Sequence, residues 1–187
     1  MTTTPIRLYM SVSLDGFITG PDDRPGQELG RGGGRLFNWL DHRNEPGVDG
    51  DVYSEAMATG AIITGRRTFE LAGRWGGDHH DGVGIHVLTH DLEEQTGTTF
   101  FHDDVAACAA AARASAGDRA VMVHGAAAAQ SLLRAGELDE IELHLVPVLL
   151  GAGRPLFADD ADRVELEPVR RLQGHDATHL RYRVRRD

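Results

Sequence analysis

Ala120-Val121-Met122-Val123-His124-Gly125-Ala126-Ala127-Ala128-Ala129-Gln130-Ser131-Leu132-Leu133-Arg134 is the stretch that decides the fold. It opens as a short apolar run containing β-branched residues, passes through one glycine, and continues in strong helix formers until Gly136 stops it. That is a buried strand feeding a helix through a glycine. The same pattern stands upstream, where Ala61-Ile62-Ile63-Thr64 reaches Gly65-Arg66-Arg67-Thr68 and then the helical Phe69-Glu70-Leu71-Ala72. Two strand–glycine–helix junctions in one chain predict parallel strands with helical crossovers.

Outward from these junctions the rest falls into place. Ile6 to Val12 reads as a buried first strand, followed by the turn signal Asp15-Gly16 and by Phe17-Ile18. Residues 19–35 are rich in Gly, Pro and charge and read as a functional loop or lid. Leu36 to Leu40 is a short apolar island, and Asp49 or Asp51 can cap a helix running to about Thr59. Arg74 to Gly84 reads as an exposed loop, with strands expected over Ile85–Thr89 and Thr98–His102. Asp103 or Asp104 caps an alanine-rich helix that Gly117 ends. Leu138 to Leu150 predicts a long strand, bulged or broken near Pro147, and residues 163–173 and 178–186 predict an antiparallel hairpin. The expectation is an α/β fold in one domain spanning residues 1–187: a mixed, mostly parallel central sheet, flanking helices and a C-terminal antiparallel hairpin.

Composition narrows the chemistry. The chain has 187 residues, enough for one sizeable core and few for two. Its 19 basic side chains are all arginine, against 29 acidic ones, for a net charge of −10. Without lysine there is no internal Schiff base and no phosphate-binding P-loop lysine. So acidic a chain repels a polyanion unless its arginines cluster, so no nucleic-acid partner is expected. Cys108 is the single cysteine, which excludes internal disulfides, zinc knuckles and paired redox thiols. With no apolar run long enough for a membrane span and no signal-like N-terminus, the expected setting is the cytoplasm, away from the membrane.

The junctions also carry the functional reading. A glycine lets backbone approach a ligand, and the first N–H groups of the following helix favour an anion. Two such junctions can grip one pyrophosphate, and guanidinium groups at Arg66 and Arg67 suit a phosphorylated ribose. The plainer alternative is that each glycine merely starts a helix, since short glycine turns are common connectors.

Three segments together resemble a known family: Ser11-Val12-Ser13-Leu14-Asp15-Gly16-Phe17-Ile18, Ile63-Thr64-Gly65-Arg66-Arg67-Thr68-Phe69, and Val123-His124-Gly125-Ala126. They look like the dihydrofolate reductase-like superfamily. The run from Leu132 to Ile141 and on through Pro147-Val148-Leu149-Leu150-Gly151-Ala152-Gly153-Arg154-Pro155-Leu156-Phe157 is similar to the C-terminal reductase domain of riboflavin-pathway bifunctional deaminase-reductases.

The resemblance implies NADPH lying across the strand ends and hydride delivery to a small heterocyclic or imine substrate, a riboflavin precursor or a pterin/folate-like molecule. It implies that Gly65, Arg66, Arg67 and Thr68 hold phosphates and that His124, Gly125, Ala126 and Ala127 meet the pyrophosphate from the other side. Thr89 and His90 fall where the adenosine ribose and its 2′-phosphate are expected, and Ser11 and Ile18 where the nicotinamide is expected. Ala126 stands where the family often has a further glycine, and the segment Phe69 to Trp75 lacks the paired-acid–proline pattern of the riboflavin reductases. The zinc-dependent deaminase half needs cysteines that this chain lacks, so reductase chemistry alone is implied.

Hydride transfer also needs a proton source. Asp15 and Asp51 are the acids to consider, Asp51 for the substrate and Asp15 for shaping the site, with a turn-former and a helix cap as the respective plain readings. A carboxylate at a helix N-terminus stays ionised, which leaves bound water as a candidate donor. Asp78-His79-His80-Asp81 and His102-Asp103-Asp104 have ligand chemistry, but adjacent histidines in a glycine-rich loop read as solvated, and no metal is expected. His124 alone reads as a satisfied polar residue at a strand end. Arginines 170, 171, 181, 183, 185 and 186 on the terminal hairpin suit a solvated face or subunit contact, and a homodimer is expected. The competing class is a non-catalytic nucleotide-binding or assembly module on the same sheet.

Overall fold

A computed structural model describes residues 4–157 and 163–186. Eight strands form one sheet in the order β5 (Thr99–His102), β4 (Gly84–Leu88), β3 (Ala61–Gly65), β6 (Val121–His124), β1 (Ile6–Ser13), β7 (Glu140–Val146), β10 (Thr178–Val184) and β9 (Leu166–Gln173), and a two-stranded sheet pairs β2 (Phe17–Thr19) with β8 (Arg154–Pro155). The chain divides into two compact units, Met1–Leu8 with Met57–Glu140 and Tyr9–Ala56 with Ile141–Asp187. Strand β1 (Ile6–Ser13) gives its first three residues to the former and the rest to the latter.

In the first unit, β3 (Ala61–Gly65), β4 (Gly84–Leu88), β5 (Thr99–His102) and β6 (Val121–His124) lie parallel, with β6 also parallel to the start of β1. In β3 and β6 the residues do not alternate in polarity: Ala61, Ile62 and Ile63, and Val121, Met122 and Val123, are all buried, while in β4 Ile85 and Val87 flank a buried His86. Strands covered on both faces read as continuous apolar runs, which is why the sequence shows them so clearly. Helix α3 (Val105–Ala116) starts where the Asp104 carboxylate accepts the Ala107 N–H at 2.7 Å and stops at Gly117, with φ of 61°. Cys108, Ala109, Ala112 and Ala116 form its buried stripe, and burial pushes the Cys108 thiol up to about 12, which leaves it inert.

The crossovers set the functional geometry. Helix α2 (Arg66–Leu71) leaves β3 toward β4, while α4 (Ala126–Arg134) leaves β6 and returns the chain to Asp139, whose N–H donates to the Ile6 carbonyl on the other side of β6. The connections diverge between β3 and β6. In an open parallel sheet that divergence leaves a crevice at the carboxyl ends of the strands, the usual place for a ligand.

In the second unit, β9 (Leu166–Gln173) and β10 (Thr178–Val184) form the expected antiparallel hairpin. Strand β7 (Glu140–Val146) is shorter than its sequence suggests; it ends before Pro147, which has no N–H to donate. The island around Leu36–Leu40 is part of a 3-10 helix, Gly33–His42, whose Leu36 and Trp39 pack with Val52, Val146 and Ala177. Helix α1 (Val48–Met57) begins earlier than a cap at Asp49 or Asp51 requires, so both acids stand inside its first turn. The two-residue strand β8 (Arg154–Pro155) pairs with β2 (Phe17–Thr19), a contact no local pattern announced.

Candidate functional site

The two junction glycines are neighbours. Thr64 and His124 are register partners at the ends of β3 and β6, so Gly65 and Gly125 follow side by side. Each abuts the helix that the other begins. A Cβ on Gly125 would lie 2.2 Å from Thr68 Oγ1 on α2, and one on Gly65 would lie 3.6 Å from the Ala127 Cβ and 3.7 Å from the Ala128 nitrogen on α4. Gly125 has φ 88° and ψ 148°, a conformation closed to side chains, whereas Gly65 at φ −84° and ψ 156° is ordinary extended backbone.

Helix α4 makes its first N–H bond from Ala129 to the Gly125 carbonyl, so the donors before it belong to the helix terminus. Ala126 and Ala128 are buried and Ala127 is exposed at that end. No acid sits in the first turn of either helix, which leaves the positive end of α4 uncompensated by its own side chains.

Arg66 is engaged by carboxylates. Its guanidinium bonds Glu70 at 2.8 Å, Glu93 and the Asp91 carbonyl, and Arg74 joins the same two acids. Arg67 is exposed and Thr68 half-buried, its hydroxyl against Gly125. Thr89 donates its N–H to the His102 carbonyl at 2.8 Å and accepts from the Asp91 N–H, holding the turn after β4, and His90 is exposed beside it.

His79 and His80 are not solvated, as their glycine-rich surroundings suggested. Both are half-buried, and a chain of contacts runs from the Thr59 carbonyl to His80 Nε2 (3.2 Å), from His80 Nδ1 to His79 Nδ1 (2.7 Å), and from His79 Nε2 to His124 Nε2 (3.1 Å). Trp75 lies against His79 and His124, its backbone held left-handed together with Arg74 and Gly76. Burial pushes His79 down to about 4, with help from His80 and against Asp78. Among the described residues no group of three or more His, Cys, Asp or Glu could hold a metal ion.

The remaining residues singled out in the sequence lie in the second unit. Ser11 is buried and accepts the Trp39 indole N–H at 2.9 Å; Ile18 is buried in β2. Asp15 accepts from the Ser13 hydroxyl (2.6 Å) and from the Leu150 and Gly151 N–H groups, bonds that hold its carboxyl below the usual value and tie the β1–β2 turn to the segment after β7. Asp51 is exposed. The acid that turns inward is Asp49, which accepts from the His175 N–H (3.0 Å), the His175 ring (2.8 Å) and the His179 ring (3.0 Å). Burial opposes its charge, but these bonds outweigh burial and its carboxyl lies below the ordinary value. His179 continues to His144 at 2.8 Å, with Trp39 against both rings. Its partners lie 126 and 130 residues away, so only the helical position of Asp49, facing inward where Asp51 faces out, could have marked it.

Parallel strands, diverging crossovers and paired glycines at the carboxyl edge define an open α/β sheet with a crevice at the ends of β3 and β6. The model of the RibD C-terminal domain matches residues 5–180, and the chain belongs to that family. Membership supports a reductase-type role. The chain is 26% identical, over 94% of its length and 95% of the relative's, to the uncharacterized protein YwjB of Bacillus subtilis (strain 168). It shares its fold with a putative riboflavin biosynthesis protein from Shewanella sp. PV-4 (TM-score 0.74, 19% identity, 98% of this chain and 100% of that one). It also shares it with Enterococcus faecalis dihydrofolate reductase in complex with NADP(H) and RAB-propyl (TM-score 0.60, 15% identity, 97% of each chain). No helix among the described residues is long and apolar enough to cross a membrane.

Proposed function

We propose that the protein is an NADPH-dependent reductase of a small heterocyclic or imine substrate, with the dinucleotide diphosphate held by the Gly65 and Gly125 junctions. The observation that carries this reading is the reciprocal packing of those glycines, Gly65 against α4 and Gly125 against Thr68 of α2. The residues fit the cofactor. The fold itself requires glycine at Gly125; at Gly65, where a Cβ would meet only ordinary contacts with Ala127 and Ala128, glycine keeps the backbone accessible to a phosphate.

On this reading the α4 terminus, through Ala126 and Ala127, and the Thr68 hydroxyl bind the diphosphate oxygens. Arg67 and the turn of Thr89 and His90 take the 2′-phosphate. Arg66 orders that turn through Asp91 and Glu93 while remaining a cation beside it. When bound, the cofactor supplies the hydride; the chain supplies position, exclusion of water and the accompanying proton.

Fluorescence titration of NADPH and NADH tests the reading. NADPH binding at least about tenfold tighter than NADH is expected, the size of one lost charge-assisted contact or more. Comparable binding of the two, or none, contradicts it. NADPH consumption with any heterocyclic substrate then separates a reductase from a module that only binds nucleotide.

A further inference from the structure

The arginine that follows the first junction glycine already holds an anion. Gly65 and Leu88 are register partners at the ends of β3 and β4, so Arg66 and the Thr89–His90 turn leave the sheet side by side. Two carboxylates meet Arg66 there. Glu70 lies four residues from both Arg66 and Arg74; it bonds Arg66 Nε at 2.8 Å and reaches Arg74 at 2.7 and 3.1 Å. Glu93 comes from the opposite direction and bridges the same two guanidinium groups. One of its oxygens accepts from Arg66 Nη2 and lies 3.3 Å from Arg74 Nη2, and the other accepts from Arg74 Nη1 at 3.0 Å.

The two acids differ in how they are held. Glu70 is carried by helix α2, whereas Glu93 stands on a segment with neither helix nor strand. The arginines have a second support that does not depend on Glu93: the Arg66 guanidinium lies 5.7 Å from the centre of the Phe101 ring and that of Arg74 lies 5.5 Å from Phe69. With both acids in place, two positive charges meet two negative ones. With Glu93 swung away, the cluster keeps one net positive charge beside the turn. Arg74 and Arg66 hold the Glu93 carboxyl below its ordinary value, so it is ionised when a cofactor arrives.

We propose that Glu93 sets the cofactor preference of this site: its carboxylate occupies the anion position between Arg66 and Arg74, and the 2′-phosphate of NADPH binds by displacing it. The proposal rests on the reductase reading above and deepens it by naming the residue that tempers the hold on the 2′-phosphate. A carboxylate spanning two guanidinium groups makes the contacts that a phosphate monoester makes, with about half the charge. The exchange is feasible because the side chains of Arg66, Glu93 and Arg74 are 26%, 34% and 45% exposed, and ion pairs this exposed are individually weak. NADH brings only a hydroxyl to the turn and leaves the Glu93 bridge closed. Glu93 therefore lowers the affinity for NADPH and leaves that for NADH unchanged.

The test titrates NADPH and NADH, by fluorescence, into the intact protein and into Glu93→Gln, which removes the charge and keeps the shape. The variant should bind NADPH about fivefold tighter than the parent, the size of one exposed ion pair, and NADH within about twofold of it. NADPH affinity that is unchanged or weaker in the variant, or an equal gain for both cofactors, overturns the proposal and leaves the reductase reading standing. Failure of the parent and the variant to bind either cofactor overturns both. A second measurement needs only the unaltered chain, carrying ¹⁵N-labelled arginine: bound NADP⁺ should shift the side-chain signals of Arg66 and Arg74, and NAD⁺ should leave them in place. Signals unmoved by bound NADP⁺ contradict the displacement, whether or not the variant folds.

Discussion

Gly65 and Gly125 occupy equivalent places in the chain, each between a buried strand and a helix, yet they are glycine for different reasons. At Gly125 the protein itself forbids a side chain: the backbone is in a region open only to glycine, and Thr68 Oγ1 stands 2.2 Å from where a Cβ would be. At Gly65 nothing in the protein forbids one, since the backbone is ordinary and the nearest atoms are 3.6 and 3.7 Å away, normal contact distances. One glycine is explained by the fold. On the reading proposed above the other is explained by a ligand that comes close to the backbone, and the fold itself supplies no reason for it.

That contrast can be broken or sharpened by experiment. The largest effect is expected from Gly125→Val, which combines a forbidden φ with overpacking against Thr68 and should cost about 3 kcal/mol or more by urea denaturation. A loss under about 1 kcal/mol would mean the junction relaxes freely. Acidification should act next, and on the same side, because His124 ties that junction to His79. The ring of His79 is pushed from 6.5 down to about 4 in the folded protein, so the unfolded chain binds the extra proton first. Stability should therefore fall as pH drops from about 6.5 to about 4, by up to about 3 kcal/mol from this ring, and His79→Phe should remove that part of the slope while leaving that of His86, which burial also pushes down to about 4. A double-mutant cycle comes third: Thr68→Ala removes the oxygen in the way of Gly125→Ala, and the pair should recover about 1 kcal/mol relative to additivity, leaving the strain of φ. Gly65→Ala should be the mildest, within about 0.5 kcal/mol of the parent in stability.

The two histidine chains show a related difference. His80–His79–His124 starts on a carbonyl, which accepts from a neutral ring, whereas His144–His179 ends on the buried carboxylate of Asp49. A carboxylate holds its donor in place through charge, and so the second chain reads as a fixed core element beneath Trp39, with Ser11 on the indole N–H. The carboxyl of Asp49 is held low in the folded state, so its contribution is present above the unfolded carboxyl value and is lost as pH falls through the folded one.

Much of the fold was legible because its strands are buried on both faces and its helices carry unambiguous stops. Ile62-Ile63 and Val121-Met122-Val123 announce themselves without periodicity, and Asp104 and Gly117 bracket α3. The neighbouring placement of Gly65 and Gly125 followed from the same reading. What the sequence concealed are contacts made across long separations. Asp49 differs from Asp51 only in which side of α1 it faces, and its imidazole partners lie on the far hairpin. His79 and His80 sit among glycines that look like solvent-exposed loop, but a left-handed turn at Trp75 brings an indole over His79 and His124. Leu149 remains 69% exposed, an apolar residue in a run that looked like the continuation of a core strand until Pro147 ended it.

The most direct measurement is NADPH titration of Gly65→Ala beside the parent protein. A single methyl group at that position meets only ordinary contacts on Ala127 and Ala128 of α4 and takes up space the proposed diphosphate needs, so the variant should keep its melting temperature and lose NADPH affinity by about tenfold or more. A variant equally stable that binds NADPH as tightly as the parent would show that no diphosphate lies between these glycines.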